Sequence, residues 1–238
     1  MRNTLAIAGR EIQAYFVSPI AYVVTAAFMV IMSIFFAWYI QNPSGTEATM
    51  QYMFGPMTTI FLFATPMLTM RLLAEEQRSG TIELLLTSPV RDWELVVGKF
   101  LGCIFLFLVI LLLTLYYPFV MYQFGNPDLG PLASGYLGLF LLVASLISLG
   151  VFASSVTQNQ IIAAILGLGL GLFFWISEAV ADFVGPGLAD ILTAVSLRTH
   201  FPDFGTGIID SRNIVFYLTF IAVALFLATQ AIQSRRWR

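Results

Sequence analysis

The chain has 238 residues, of which 59% are hydrophobic and 10% charged, against roughly 25% charge in a soluble domain. Lipid is the solvent this composition suits. The formal net charge of −2 offers no ground for nucleic-acid binding, and the single cysteine, Cys103, excludes a disulfide framework or a cysteine-based metal site within the chain.

The charged residues are clumped, leaving uncharged stretches at 12–46, 48–70, 100–127, 129–177 and 213–234. One crossing of a bilayer needs about 20 apolar residues. Four stretches suit one crossing each. The stretch 129–177 suits two, separated by the polar turn Ser154, Ser155, Thr157, Gln158, Asn159 and Gln160. The sequence therefore predicts an all-α polytopic membrane protein, a single transmembrane domain over 1–238. Its spans fall at 20–40, 52–70, 100–124, 132–153, 161–177 and 214–232. The runs are continuously apolar, whereas a β-barrel would show alternating segments of about 10 residues.

In chain order, residues 1–18 come first. Leu5, Ile7, Ile12, Tyr15 and Phe16 share a broad face, a pattern that favours an interfacial helix over a frayed tail, with a turn at Ser18-Pro19. Arg2 and Arg10 precede an apolar run as in a secretory signal, but that run exceeds the usual core of about 7–15 residues. It reads as an uncleaved first span. The loop 41–51 is turn-rich, and Asn126-Pro127-Asp128 makes the third and fourth spans antiparallel neighbours. Residues 178–213 are too apolar for a solvated loop and too interrupted for a crossing. Short helices at the outer interface, broken at Gly185-Pro186-Gly187, fit both facts.

Lysine and arginine set the orientation of a membrane protein. Arg2, Arg10, Arg71, Arg78, Arg91, Lys99, Arg235, Arg236 and Arg238 fall on one side; only Arg198 and Arg212 fall on the other. Both termini and the 71–99 loop are expected in the cytoplasm.

Candidate chemistry is sparse. A phosphate-binding Gly-x-x-x-x-Gly-Lys-Ser/Thr loop needs its lysine, and the only lysine stands in Val97-Gly98-Lys99-Phe100. No cofactor is expected on this chain. The single histidine, His200, reads as structural, because zinc sites usually take several ligands. Serines within the spans have no basic partner at depth. Ionisable residues inside a membrane mark ion pathways, and the predicted cores contain none. Glu178 and Asp182 lie nearest, at the outer end of the fifth span, and read as solvated helix-end acids. Gly167 and Gly171 form a Gly-x-x-x-Gly in the fifth span, suited to a dimer contact or to packing within the chain.

The loop from Arg71 to Gly102 reads RLLAEEQRSGTIELLLTSPVRDWELVVGKFLG. Glu75, Glu76 and Arg78 crowd the mouth of the second span. Thr81 suits an N-cap for a short apolar helix through Ile82, Leu84, Leu85 and Leu86, which ends before Pro89. Asp92 suits a cap for the next helix. Such a helix suits docking by a cytoplasmic partner or interfacial packing equally well.

This string resembles the cytoplasmic loop of type-2 ABC transporter permeases, with Glu75, Glu76, Arg78, Gly80, Thr81, Glu83, Leu84 and Leu85 at the motif positions. Glu11 with Tyr15-Phe16 and Ser18-Pro19-Ile20-Ala21-Tyr22 resembles the entry to the first span in the gliding-motility-associated branch. The ending, with His200-Phe201, Gly205, Gly207, Ile209-Asp210 and Arg235-Arg236-Trp237, does so too. The resemblance implies a coupling helix at about 79–88 that contacts a separate ATPase, with Glu11 near that contact, and re-entrant helices at 178–208. It also implies a homodimer with two cytoplasmic ABC ATPase chains that carry ATP and Mg, and an auxiliary membrane subunit with an extracytoplasmic domain. The expected function is an exporter-type permease subunit, non-catalytic itself, in the cytoplasmic (inner) membrane. The alternative is a non-transporting scaffold that relays ATPase motion to the auxiliary subunit. A stand-alone channel or secondary transporter ranks third.

Overall fold

The structure, a computed structural model, describes residues 2–41, 49–81, 90–125 and 127–235. Every regular element among them is a helix. Among the described residues, six helical stretches are long and apolar enough to cross a membrane: Pro19–Gln41, Gln51–Arg78, Asp92–Gln123, Leu129–Val156, Gln160–Ala181 and Ser211–Ser234. Each overlaps one predicted span, the second running on to Arg78 and the third starting already at Asp92.

The elements are α1 (Arg2–Val17), α2 (Pro19–Gln41), α3 (Gln51–Thr69), α4 (Ala74–Arg78), α5 (Asp92–Thr114) and α6 (Tyr116–Phe124). There follow α7 (Leu129–Val156), α8 (Gln160–Ala181), α9 (Pro186–Val195), α10 (Pro202–Gly205) and α11 (Ser211–Arg235). α7 is the axis of the bundle, with 83% of its apolar window buried, against 22% for each of the first, fifth and sixth spans. Its small residues explain this position. Gly135, Gly138 and Gly150 admit Phe54, Phe204 and Thr69 against the helix backbone. Ser145 and Ser148 turn their hydroxyls to the carbonyls of Leu141 and Ser145, so no polar group is stranded.

The third span is interrupted, where the sequence predicts one run over 100–124. Helix α5 ends at Thr114 and α6 begins at Tyr116. Pro118 has no N–H with which to reach the carbonyl of Thr114. Tyr136 of α7 supplies the missing donor, its hydroxyl lying 3.1 Å from Thr114 O. A neighbouring helix thus satisfies the freed carbonyl, as an apolar solvent demands.

Helix α1 turns only part of its broad apolar face toward the bundle. Thr4, Ala8 and Tyr15 are buried, while Leu5 is 69% and Phe16 42% exposed. Where the inward stripe lies on the glycines of α5 its residues are small, Thr4 and Ala8. Helix α5 begins at Asp92, with Arg91 rather than Asp92 at the cap position. Glu94 explains the shift, since its carboxylate reaches back 3.1 Å to the Arg91 amide.

At the opposite end of the bundle, the 178–213 segment holds α9 and α10. Phe204 of α10 rests on Gly138, and its carbonyl accepts the Ser134 hydroxyl at 2.7 Å. His200 stacks on Phe216 with 3.9 Å between ring centroids. Its ring nitrogens lie 2.8 Å from Asn213 Oδ1 and 3.2 Å from Ala194 O, which gives it a structural place.

Candidate functional site

At the end of the bundle that carries α1 and α4, three helices meet at Lys99, and α7 braces one of them. Helix α5 presents Gly98 and Gly102, one turn apart, to α1. A Cβ on Gly98 would stand 2.8 Å from Ile7 Cβ, and one on Gly102 would stand 2.6 Å from Glu11 Cβ. Only glycine lets α1 lie this close, and the close approach brings Glu11 beside the neighbouring Lys99.

The Lys99 side chain is 2% exposed, and its Nζ lies 2.8 Å from Glu11 Oε1 and 2.9 Å from Glu76 Oε1. Burying an ammonium costs several kcal/mol unless opposite charges and hydrogen bonds compensate. Two carboxylates from two other helices do so here. Arg10 adds a 3.1 Å bond to the same Glu76 oxygen, but its side chain is 65% exposed, so water weakens its share. Glu76 Oε2 is buried with no partner among the described residues.

Two further braces support this end of the bundle, one of them on α4. No side chain of its own caps its first turn. Ser154 of α7 does so instead: its Oγ accepts the amides of Leu73 and Ala74 at 3.0 and 2.9 Å and donates to Met70 O at 3.1 Å. Gln77 Nε2 donates to Ser155 O at 2.9 Å. These bonds satisfy helix-end groups that would otherwise be orphaned. The other brace joins α1 to the end of α3. Tyr15 donates to Leu68 O at 2.8 Å, and the Arg71 guanidinium lies 4.8 Å from the Tyr15 ring centroid while bonding Ser18 Oγ at 2.9 Å. Burial pushes the Tyr15 phenol well above its ordinary range, so it stays a neutral donor.

Among the described residues no group of three His, Cys, Asp or Glu is placed to hold a metal. What the site provides is a junction through which α4 is fixed to α1, α5 and α7 at once.

The residues singled out in the sequence divide into groups. Glu11 and Glu76 come together on Lys99 and face inward, at 13% and 11% side-chain exposure. Glu75 and Arg78 are exposed on α4. Gly80 adopts φ +73°, a left-handed turn that favours glycine, and Thr81 Oγ1 lies 2.9 Å from Ser79 Oγ. Glu83, Leu84 and Leu85 lie outside the described residues. Gly167 and Gly171 are buried in the chain's own core, against Ala153 and Gly150, and against Leu62 and Leu146, respectively.

Lys99, Gly98, Gly102 and Ser154 are the site residues that sequence reasoning did not select. A signal for the first three was present: a Gly-x-x-x-Gly beside the only lysine of the chain. Ser154 carries no comparable signal, since its partners are backbone amides far away in sequence.

A model of the ABC-2 family transporter proteins matches residues 38–196, well over half of the chain, including the entire 71–99 loop. None of the curated proteins matches the chain.

Proposed function

The chain belongs to the ABC-2 family of transporter proteins as a multi-pass permease subunit, and from that premise we propose that it couples ATP hydrolysis on a separate ATPase to export. The 79–88 segment is the coupling element, gripped by the ATPase on the cytoplasmic face, and both termini lie on that face. Two copies of the chain form the pathway with two ATPase chains that carry ATP and Mg. An auxiliary membrane subunit with an extracytoplasmic domain completes the assembly, as in the gliding-motility-associated branch that the first span and the chain's ending resemble. The helices α9 and α10 cap the exit as re-entrant elements.

The observation that carries this reading is the double ion pair of Lys99. A loop that only connected two spans would have no need of a buried lysine tying both of its flanks to a third helix. A loop that transmits displacement does, because the motion of α4 must reach α5 and α1 before it dissipates locally.

The test is a Glu83→Ala/Leu84→Ala double variant, co-expressed with the ATPase that purifies with the wild-type chain. We expect normal membrane insertion with loss of ATPase association or of ATP-driven transport. A double variant that retains both at wild-type levels would sink the coupling role of the loop.

A further inference from the structure

His200 stands between the end of α9 and the start of α11, and both of its ring nitrogens face oxygen atoms. Nδ1 lies 2.8 Å from Asn213 Oδ1, and Nε2 lies 3.2 Å from the carbonyl oxygen of Ala194 on α9. A backbone carbonyl only accepts, so the Nε2 position calls for an N–H. The Nδ1 position calls for one too, because the Asn213 amide is held from its other side. Its Nδ2 donates to Asp203 Oδ2 at 2.9 Å, and an ionised carboxylate only accepts. Turning the amide over would set its oxygen against that carboxylate.

A neutral imidazole carries one N–H and an imidazolium two. Only the imidazolium completes both bonds. The stack on Phe216, at 3.9 Å and 24° between the rings, favours the same form, since an aromatic face attracts a cation. We infer that His200 is a pH-sensitive latch between the end of α9 and the start of α11. Protonated, it ties the Ala194 carbonyl to the Asn213 amide. Neutral, it keeps the shorter bond, to Asn213, and turns a lone pair on the Ala194 carbonyl, whose exposed residue passes to water. The latch is therefore closed at the acid end of the range over which histidine titrates, about pH 5–8, and opens as pH rises through it.

The other charged and titratable groups of this end are committed elsewhere or turned to solvent. Asp210 accepts the Arg212 amide at 2.8 Å, and Asp128 accepts the Gly130 amide at 3.0 Å. Tyr217 of α11, its ring centroid 6.4 Å from that of His200, donates its hydroxyl to Leu197 O. Arg198, Arg212, Asp190 of α9, Glu178 of α8 and Asp182 are exposed. Asp203 is thus the charge that aligns Asn213 with the imidazole. The latch lies at the opposite end of the bundle from Lys99, and neither it nor its test depends on the ATPase-coupling reading.

His200 is the chain's single histidine, so histidine labelled with nitrogen-15 reports it alone. In the full chain in nanodiscs, nuclear magnetic resonance should show a proton on both ring nitrogens at about pH 5 and on Nδ1 alone at about pH 8. Hydrogen exchange at the same two pH values reads the latch itself. The reference at each pH is His200→Phe, which keeps an aromatic ring against Phe216 and removes both hydrogen bonds. The last turn of α9 should be protected several-fold over that reference at the acid pH, and little at the alkaline one. Asp203→Asn lets the Asn213 amide turn and donate to a neutral ring, whose Nε2–H then reaches Ala194. It should keep α9 protected at both pH values, and this arm stands even if His200→Phe does not fold. Asp210→Asn should leave the wild-type contrast unchanged. An unprotonated ring nitrogen at the acid pH, or two protons at both pH values, would overturn the latch. So would equal protection of α9 at both pH values in the wild-type chain, or a wild-type contrast in Asp203→Asn.

Discussion

Lys99 Nζ lies 2.9 Å from Glu76 Oε1, and the two residues stand on either side of the 82–89 segment, one on α5 and one on α4. Their bond closes the loop at its base. Because Glu11 shares the same ammonium at 2.8 Å, α1 is included in the closure. Under the proposed coupling, any displacement of the segment between them acts first on this three-way pair.

Replacing Lys99 with Met leaves Glu11 and Glu76 facing each other with only the exposed Arg10 to offset them. Removing one partner of a buried ion pair destabilises by about 3–5 kcal/mol, and we expect Lys99→Met to lower the thermal transition in detergent accordingly. The triple variant Glu11→Gln/Glu76→Gln/Lys99→Met carries no stranded charge and should recover most of that loss, while ATP-driven transport stays impaired. Normal transport by the triple variant would show that the charges serve folding alone.

Gly102→Ala places a methyl 2.6 Å from Glu11 Cβ, a helix-to-helix contact. Overpacking of this kind costs about 1–3 kcal/mol, and it should push α1 away and weaken the Glu11–Lys99 bond. Gly169→Ala is the control, since nothing lies within 4 Å of its added methyl; helix propensity alone predicts a gain of about 0.5–1 kcal/mol there. Opposite shifts in thermal stability for the two variants are the expected result. Equal shifts would contradict the close α1–α5 approach.

The six crossings were legible because charge clumping and run length are one-dimensional properties, and 12–46 or 213–234 needs no partner to be read as apolar. The junction was half legible. The loop motif pointed to Glu76 and the first-span entry to Glu11, but their shared partner Lys99 was read for orientation and for the phosphate loop it does not complete, not as a site residue. Which residues meet across α1, α4 and α5 depends on the two glycines of α5, and their effect appears only when the helices are packed. The break at Leu115 was likewise hidden, because its cause, Pro118, is resolved by a tyrosine on another span.

Ser154 offers a test of how firmly α4 is anchored. Ser154→Ala removes the acceptor shared by the Leu73 and Ala74 amides, both in buried residues. Leaving a buried donor unsatisfied costs about 1–3 kcal/mol. We expect destabilisation in that range, with faster hydrogen exchange confined to the start of α4. Unchanged exchange at those two amides would show that α4 is held by Gln77 and Lys99 without this cap.

The sidedness that coupling requires is open to direct measurement. ATP is cytoplasmic, so the 71–99 loop can meet an ATPase only if it faces inward, the side to which the positive-inside rule assigns nine of the eleven basic residues on the predicted topology. Cys103 is fully buried, so the wild-type chain should resist a membrane-impermeant maleimide and serve as the blank. Arg78→Cys, exposed at the end of α4, and Asp190→Cys, exposed on α9, report the two faces. In intact cells we expect labelling of Asp190→Cys only, with Arg78→Cys reacting once the membrane is permeabilised. The reverse pattern would put the loop outside, where no ATPase could reach it; the coupling role would fail while the six-helix fold stood.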